Sequence, residues 1–238
     1  MDRARLTTSG TPAPAPAREV AVEAGGDVMV LRGDRTLYWP RRNWLILADL
    51  HVGKVESLRR DGVALPDAVL LADLARLTHA VRATGAERVL VLGDLVHDAH
   101  GLTPGVVARV AEWREALAVD VALVPGNHDR RVASLPDAWR IRVLDEQVCE
   151  GAYAFVHDAR SGSLARGAGR FTWQGHVHPV VALRGATDAL RLPCFLVGDG
   201  LGVVPAFSTL TGGAALERTP GGRVWVVADG ELVALPCR

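Results

Sequence analysis

Three short apolar runs, separated by segments with helical periodicity, are the feature that most constrains the fold. The runs Trp44–Ala48, Val89–Leu92 and Val121–Val124 are continuously apolar, as expected of strands that are buried on both faces. Helices are predicted between them, from Pro66 to Gly85 and from about Pro104 to Leu117. This alternation predicts parallel strands that are joined by right-handed crossovers.

The second half of the chain shows short apolar stretches at close spacing and little helical periodicity. The dipeptide Asp229-Gly230 is a strong signal for a two-residue hairpin, and Gly33-Asp34 predicts another hairpin between VMVLR and TLYWP near the N-terminus. The later stretches predict a second, mostly antiparallel sheet that packs face to face against the first: RIRVL, AYAFVHD, FTWQGH, VVALRG, PCFLV and RVWVVADGELVAL.

The organisation of the chain follows from its composition. Residues 1–18 are rich in Thr, Pro and Ala, which predicts a disordered tail. Residues 19–238 are expected to form a single domain, since about half of the 238 residues (49%) are apolar and no linker separates the two halves. The sequence does not indicate an oligomeric state.

Charge and cysteine usage exclude several classes of protein. The formal net charge is zero, which argues against an extended basic nucleic-acid surface but leaves room for a local basic rim. Three widely spaced cysteines indicate neither a disulfide framework nor a thiolate zinc site. With no run of 18 apolar residues and no signal pattern, we expect a cytoplasmic protein without a membrane partner.

Five polar segments stand where the predicted strands end: Asp49–His51, Gly93–His97, Gly126–Asp129, His157-Asp158 and Gly175–His178. The carboxyl ends of neighbouring parallel strands open onto one crevice, so the first three segments should meet there. In extended backbone, residues i and i+2 point to the same side, which predicts that Asp49 and His51 face one metal region together, and likewise His176 and His178. A glycine before three of these motifs permits a sharp turn or a close approach.

The side chains in these segments are suited to binding divalent metals. Carboxylate, imidazole and carboxamide ligands together favour Mn, Fe or Zn over Mg and Ca, and the residues alone do not choose among the three. One such segment alone would be ordinary strand-end polarity, and an isolated Asp is commonly a helix cap. The conjunction of five segments therefore carries the hypothesis of a metal site.

The series DxH, GDxxH, GNHD, H and GHxH, from Trp44 to Pro179, resembles the calcineurin-like metallophosphoesterase superfamily. The resemblance implies an α/β fold, a four-layer sandwich of two central mixed β-sheets flanked by helices. It also implies two divalent metal ions, with manganese as the first choice and Fe or Zn as alternatives. One ion would be held by Asp49, His51, Asp94 and His178, and the other by Asp94, Asn127, His157 and His176, with Asp94 as the bridge.

The same resemblance assigns roles in catalysis. Two metals activate water and stabilise the phosphoryl oxygens. His128 is implied to stabilise the transition state and to protonate the departing oxygen. Asp129 would orient His128, with a structural salt bridge as the alternative. His97 matches a histidine that works beside the GNHD histidine in SbcD-type repair nucleases, and the alternative is an ordinary strand-end residue.

Two longer segments resemble a smaller subgroup, the ligase-associated phosphoesterases (PdeM-type). They are LADLHVGKVESLRRDGVALP, residues 47–66, and LRLPCFLVGDG…VVPAFSTLTGG, residues 190–213. This resemblance implies a nuclease or phosphodiesterase whose functional partners are a bacterial DNA-repair ligase and a helicase. The chain carries no segment like the DNA-capping region of SbcD-type nucleases, so we expect short, single-stranded or flapped substrates.

Cationic residues follow three of the motifs and suggest a basic rim for flanking phosphates. The alternative for any one of them is a solvated surface residue. They are Lys54, Arg59, Arg60, Arg130, Arg131 and Arg160.

Three functions are compatible with these residues. The first is a two-metal phosphodiesterase that acts on nucleic acid, DNA in particular, in repair. The second is a phosphodiesterase or phosphomonoesterase for small nucleotides. The third is a non-catalytic scaffold that keeps the same fold.

Overall fold

A computed structural model of the 238-residue chain describes residues 17–66, 68–160, 169–184, 189–215 and 222–235. Most of the predicted disordered tail lies outside the described residues. Its last two residues, Ala17 and Arg18, pair with the backbone of Leu232 and Gly33. None of the described helices is long and apolar enough to span a membrane.

The first sheet combines an antiparallel half and a parallel half, in the order β1 to β7. The predicted parallel pairing of the three apolar runs is confirmed, because β4 pairs with β5 and β5 with β6 in parallel. The strands are β1 (Glu19–Ala24), β2 (Asp27–Arg32), β3 (Leu37–Trp39), β4 (Trp44–Leu47), β5 (Arg88–Leu92), β6 (Asp120–Val124) and β7 (Arg142–Val143).

The crossovers of the parallel half carry the two predicted helices. They are α2 (Ala68–Thr84), between β4 and β5, and α3 (Pro104–Ala116), between β5 and β6. Gly85, in the left-handed region at φ +65°, follows the end of α2, and the Thr103 hydroxyl caps α3 by accepting from the Val106 N–H. In this half of the chain, β1 and the short helix α1 (Lys54–Arg60) were not predicted.

The second sheet is mixed, although antiparallel pairs are in the majority. Strand β10 lies parallel to both β9 and β13, whereas β12 runs antiparallel to β11, β13 and β15. The strands are β8 (Gln147–Glu150), β9 (Tyr153–Val156), β10 (Phe171–Gln174), β11 (Pro179–Arg184), β12 (Ala189–Val197), β13 (Leu201–Val203), β14 (Ala214–Ala215), β15 (Arg223–Ala228) and β16 (Glu231–Ala234).

The two predicted hairpins and the predicted position of the stretch RIRVL can be compared with these strands. Asp229 and Gly230 connect β15 to β16 with φ of +49° and +78°, so the C-terminal hairpin prediction is confirmed. The hairpin at Gly33-Asp34 is confirmed by β2 and β3. The placement of RIRVL in the second sheet is wrong: Arg142–Val143 extends the edge of the first sheet beside β6.

Alternation along the strands divides the core into two main layers. Ile46 and Leu90 point between the sheets and join Phe155 and Phe195, whereas Leu47 and Val91 face the helices. Both faces of β4 and β5 are therefore buried, which explains their continuous apolar sequences. A smaller cluster of Cys194, Val224 and Val226 lies apart from both layers. The predicted fold class, two mixed sheets flanked by helices, is confirmed.

Candidate metal centre

The five polar segments all lie at the ends of strands, as predicted. Asp49, Asp94 and Asn127 follow β4, β5 and β6 of the first sheet, while His157 and the segment from Gly175 follow β9 and β10 of the second. Hydrogen bonds join the two sheets at this edge. The His176 N–H donates to Asp49 Oδ2 at 3.1 Å, and the His157 ring lies 2.9 Å from the carbonyl oxygen of Leu92.

Five of the predicted ligand residues adopt a left-handed backbone rather than the extended one that the sequence suggested. Their φ angles lie between +46° and +64°. This conformation costs about 1–2 kcal/mol for a residue with a Cβ and is concentrated at functional sites. The residues are Asp49, His51, Asp94, His176 and His178.

The first group of candidate ligands contains Asp49, His51, Asp94 and His178, whose ligand atoms all lie within 4.8 Å of one another. The His51 ring is buried at 4% exposure, and neither of its nitrogens has a hydrogen-bond partner in the described structure. Asp49 Oδ1 and His178 Nε2 are 3.0 Å apart, yet neither atom is satisfied by hydrogen-bond geometry. Unpartnered buried polar atoms are costly, and a shared cation would satisfy Asp49 Oδ1, His178 Nε2 and one of the two His51 nitrogens.

The second group contains Asp94, His157 and His176, with Asn127 beside them. Because a carbonyl only accepts, the contact to Leu92 places the His157 proton on Nδ1 and leaves a lone pair on Nε2. That nitrogen lies 3.0 Å from His176 Nδ1, 3.1 Å from the Asn127 side-chain oxygen and 3.4 Å from Asp94 Oδ1. Such converging lone pairs are suited to a cation.

Both groups contain Asp94, but the two histidines of the last polar segment belong to different groups. His176 belongs to one group and His178 to the other, so the prediction that extended backbone would turn both towards one metal region is wrong. Carboxylate, imidazole and amide donors around one shared carboxylate fit two divalent ions. These residues could therefore hold two such ions, and a third cluster of imidazoles, His51, His97 and His128, adjoins the first group.

Lowered pKa values favour the neutral imidazole of His51 and of His176, which metal binding requires. Burial, followed by the charges of Lys54 and His178, lowers the pKa of His51 to about 2. Burial and then the neighbouring His157 lower the pKa of His176. Burial also acts to lower the pKa of His178, but its contact with Asp49 raises that pKa overall.

The three predicted catalytic residues lie beside the first group. The His128 ring stacks on His97 with centroids 5.0 Å apart, and its Nδ1 contacts the His97 carbonyl oxygen at 2.5 Å. The oxygens of Asp129 instead accept the backbone N–H groups of Val96 and Gly126, at 3.0 and 2.8 Å. The His97 carbonyl thus orients the His128 ring. Asp129 instead links the loop after β5 to the loop after β6.

The glycines that precede three motifs allow close approach, as predicted. A Cβ on Gly93 would lie 2.2 Å from His157 Nδ1, and one on Gly126 would lie 2.3 Å from Asp94 Oδ1. A Cβ on Gly175 would lie 2.6 Å from that of Ala48. The ligand loops therefore pack at distances that leave no room for a side chain.

The predicted basic rim is only partly directed at the centre. Lys54 lies in the fields of Asp49 and Asp94, and burial lowers its pKa although these two charges raise it. The other cations contact the chain itself or are exposed. Arg59 donates to the Leu65 carbonyl, Arg130 to Glu146 and Arg160 to Asp158, while Arg60 and Arg131 are exposed.

One residue near the centre received no role from the sequence. The Asp158 carboxylate lies 3.6 Å from His176 Nε2, on the side opposite the nitrogen that faces His157. Its only sequence signal was its position directly after His157.

A sandwich of two mixed sheets with paired metal-ligand groups at one edge defines a metal-dependent hydrolase. Residues 43–185 match the family model of calcineurin-like phosphoesterases, and the chain belongs to this family. It is therefore a metal-dependent phosphoesterase. A search of curated proteins finds no match.

Two solved structures resemble the chain. The nuclease MPE of Pseudomonas putida is 31% identical, with a TM-score of 0.78 over 91% of this chain and 100% of that protein. The phosphoesterase YfcE of E. coli is 18% identical, with a TM-score of 0.39 over 78% of this chain and 88% of that protein. The second similarity is too weak to support an argument.

Proposed function

We propose that this phosphoesterase is a two-metal phosphodiesterase that cleaves nucleic acid, with DNA under repair as its substrate. The observation that carries the proposal is the buried Asp94 carboxylate, which belongs to two separate groups of ligand atoms. The similarity to a nuclease over the whole length of that protein supports nucleic acid as the substrate.

In this proposal each ion takes four ligands from the predicted set. The first ion is held by Asp49, His51, Asp94 and His178, and the second by Asp94, Asn127, His157 and His176. The ions would be manganese, with Fe or Zn as alternatives, because the donors mix nitrogen and oxygen. When bound, they would activate the attacking water and neutralise charge on the phosphoryl oxygens.

The chain itself supplies proton transfer and positioning. The His97 carbonyl fixes the His128 proton on Nδ1, so Nε2 is the atom that can carry a second proton to the departing oxygen. That nitrogen lies 3.9 Å from Asp94 Oδ2, beside the proposed bridge between the ions. The stacked His97 ring limits rotation of His128, and Lys54 adds positive charge for the substrate phosphate.

Turnover of three substrates tests this function. We expect the purified, manganese-loaded protein to hydrolyse bis-p-nitrophenyl phosphate and labelled single-stranded DNA faster than p-nitrophenyl phosphate. Turnover of p-nitrophenyl phosphate alone would exclude the nuclease function and favour an enzyme that acts on small nucleotides. Absence of turnover on all three, in protein that has bound metal, would favour the non-catalytic scaffold.

A bridging carboxylate predicts that one substitution affects both ions. Asp94→Asn removes the shared charge, so we expect fewer than two ions per chain by elemental analysis after dialysis. Asp145→Asn, at an exposed position, is the control and should retain the wild-type content. Full occupancy in Asp94→Asn would contradict the bridge.

The cellular setting belongs to the same proposal. Residues 47–66 and 190–213, which resemble the ligase-associated subgroup, support a cytoplasmic role beside a DNA-repair ligase and helicase. We expect the protein to co-purify with such a ligase or helicase when it is tagged at its natural level. Recovery of neither would remove these partners from the proposal.

A further inference from the structure

A cavity of about 160 Å³ adjoins the metal centre on the side of His178. Arg35, Arg191, Thr209 and Thr211 line it together with that histidine. The segment that carries the two threonines is attached directly to the start of β11, because the Ala214 N–H donates to the His178 carbonyl at 3.1 Å. The cavity is therefore built against a ligand of the first proposed ion.

The lining of this cavity is suited to an anion. Arg35 donates through Nη1 to the carbonyl oxygens of Phe207 and Ser208. Arg191 donates to the Gly213 carbonyl and is exposed. Neither arginine forms an ion pair with a carboxylate in the described part of the chain, so their charge is available to a ligand.

Two further observations support an anionic occupant. The Thr211 hydroxyl is buried without a hydrogen-bond partner in the described structure and can donate to a phosphate oxygen. Burial and then the charge of Arg76 lower the pKa of Arg35, and Asp73 offsets this only in part. A bound anion would relieve the same unfavourable environment.

A larger groove of about 940 Å³ shares Pro193 and two arginines with this cavity as lining residues. Arg35 and Arg191 line both spaces, and Arg18 adds a third cation along the groove. The other arginines of the groove are already paired, Arg32 with Glu19 and Asp34 and Arg76 with Asp73. A chain with several phosphates could thus extend away from the metals.

We propose that the cavity is a subsite for the phosphate next to the scissile phosphodiester in a nucleic-acid strand, bound by Arg35 and Arg191. The Thr211 hydroxyl donates a further hydrogen bond. A polynucleotide strand fits better than a mononucleotide, because the arginine-lined groove provides space and charge beyond this one phosphate. This subsite rests on the nuclease function proposed above.

Short thymidine oligonucleotides test the subsite directly. TpT contains one phosphodiester and no flanking phosphate, whereas TpTpT contains a flanking phosphate for each bond. Only one of the two bonds of TpTpT can place its neighbouring phosphate in the subsite. In the manganese-loaded protein we therefore expect kcat/KM for TpTpT to exceed that for TpT by about tenfold, as one charge-assisted phosphate contact provides. Arg191→Gln should abolish this preference, and Arg191→Lys should restore part of it.

Arg170→Gln is the matched control, because Arg170 is also exposed and also donates to a glycine carbonyl, that of Gly151. It should keep the wild-type ratio of the two substrates. A ratio in Arg191→Gln equal to that of the control would overturn the subsite and leave the nuclease function intact. Wild-type protein that hydrolyses bis-p-nitrophenyl phosphate but neither the two oligonucleotides nor labelled single-stranded DNA would overturn both proposals.

Discussion

At the scale of single residues, His51 links the metal centre to the stability of the fold. Its ring is almost fully buried, and burial lowers its pKa to about 2 from an ordinary value near 6.5. Below about pH 6.5, His51 therefore binds a proton in the unfolded chain but not in the folded, metal-free protein. Because the unfolded state binds more protons there, the free energy of unfolding must fall as the pH falls.

We expect this effect to be measurable in metal-free protein between about pH 7.5 and about pH 5.5. His51 should contribute a loss of about 1.4 kcal/mol over that interval. Burial also lowers the pKa of His97 and His176, while that of His178 is raised, so the variant His51→Gln is needed to isolate one histidine. Urea unfolding should show a weaker pH dependence in the variant, and equal slopes would refute the role of His51.

A substitution at His128 distinguishes proton transfer from metal binding. Its Nδ1 is fixed by the His97 carbonyl, and it belongs to neither of the two ion sites proposed here. His128→Ala should therefore lower kcat on bis-p-nitrophenyl phosphate by about 10²–10⁴-fold with unchanged ion content. His79→Ala, on the exposed face of α2, is the control. Wild-type turnover in His128→Ala would exclude it as the acid.

At the scale of elements, the sequence was sufficient to place the central parallel strands of the first sheet but not the backbone of the loops after them. Continuous apolar runs identify β4, β5 and β6 because both faces of these strands are buried. The left-handed conformation of residues such as Asp49 and His178 could not be predicted, since only tertiary packing offsets its cost.

Other differences between the predicted and the observed structure also arise from tertiary contacts. Only two residues of RIRVL pair, and the free edge of β6, not the local sequence, decides which sheet they join. The ligand residues were recognisable because they recur in motifs at strand ends. Arg35 and Arg191 carry no such signal, because they lie far from the motifs and meet only where the 206–213 segment packs between them.

The close packing of the ligand loops predicts a specific sensitivity at Gly126. Its φ is not in the left-handed region, but a Cβ there would lie 2.5 Å from the backbone nitrogen of Asp94. Because backbone cannot move away as a side chain can, Gly126→Ala should destabilise the protein by about 1–3 kcal/mol and weaken metal binding.

Gly105→Ala provides the comparison for this substitution. Gly105 lies in the first turn of α3, with nothing within 4 Å of an added Cβ. Alanine there should leave stability unchanged or raise it by up to about 1 kcal/mol. Thermal unfolding and metal titration of both variants test the prediction, and equal behaviour would show that crowding at Gly126 is unimportant.

At the scale of the whole molecule, the proposed metal centre joins two sheets that already share a core. Asp49, His51 and Asp94 follow strands of the first sheet, whereas the other ligand histidines, His157, His176 and His178, follow strands of the second. Large apolar side chains fill the space between the sheets independently of any metal. We infer that metal binding stabilises an assembly that forms without it.

Metal removal tests this relation between core and centre. After chelation, we expect a single cooperative thermal transition, because one core spans both sheets. Manganese at about 100 times its Kd should then raise the free energy of unfolding by about 2.7 kcal/mol for each independently bound ion by mass action, with a higher Tm. Asp94→Asn should show a much smaller rise. Two separate transitions in the metal-free protein would mean that the ions, rather than the shared core, hold the sheets together.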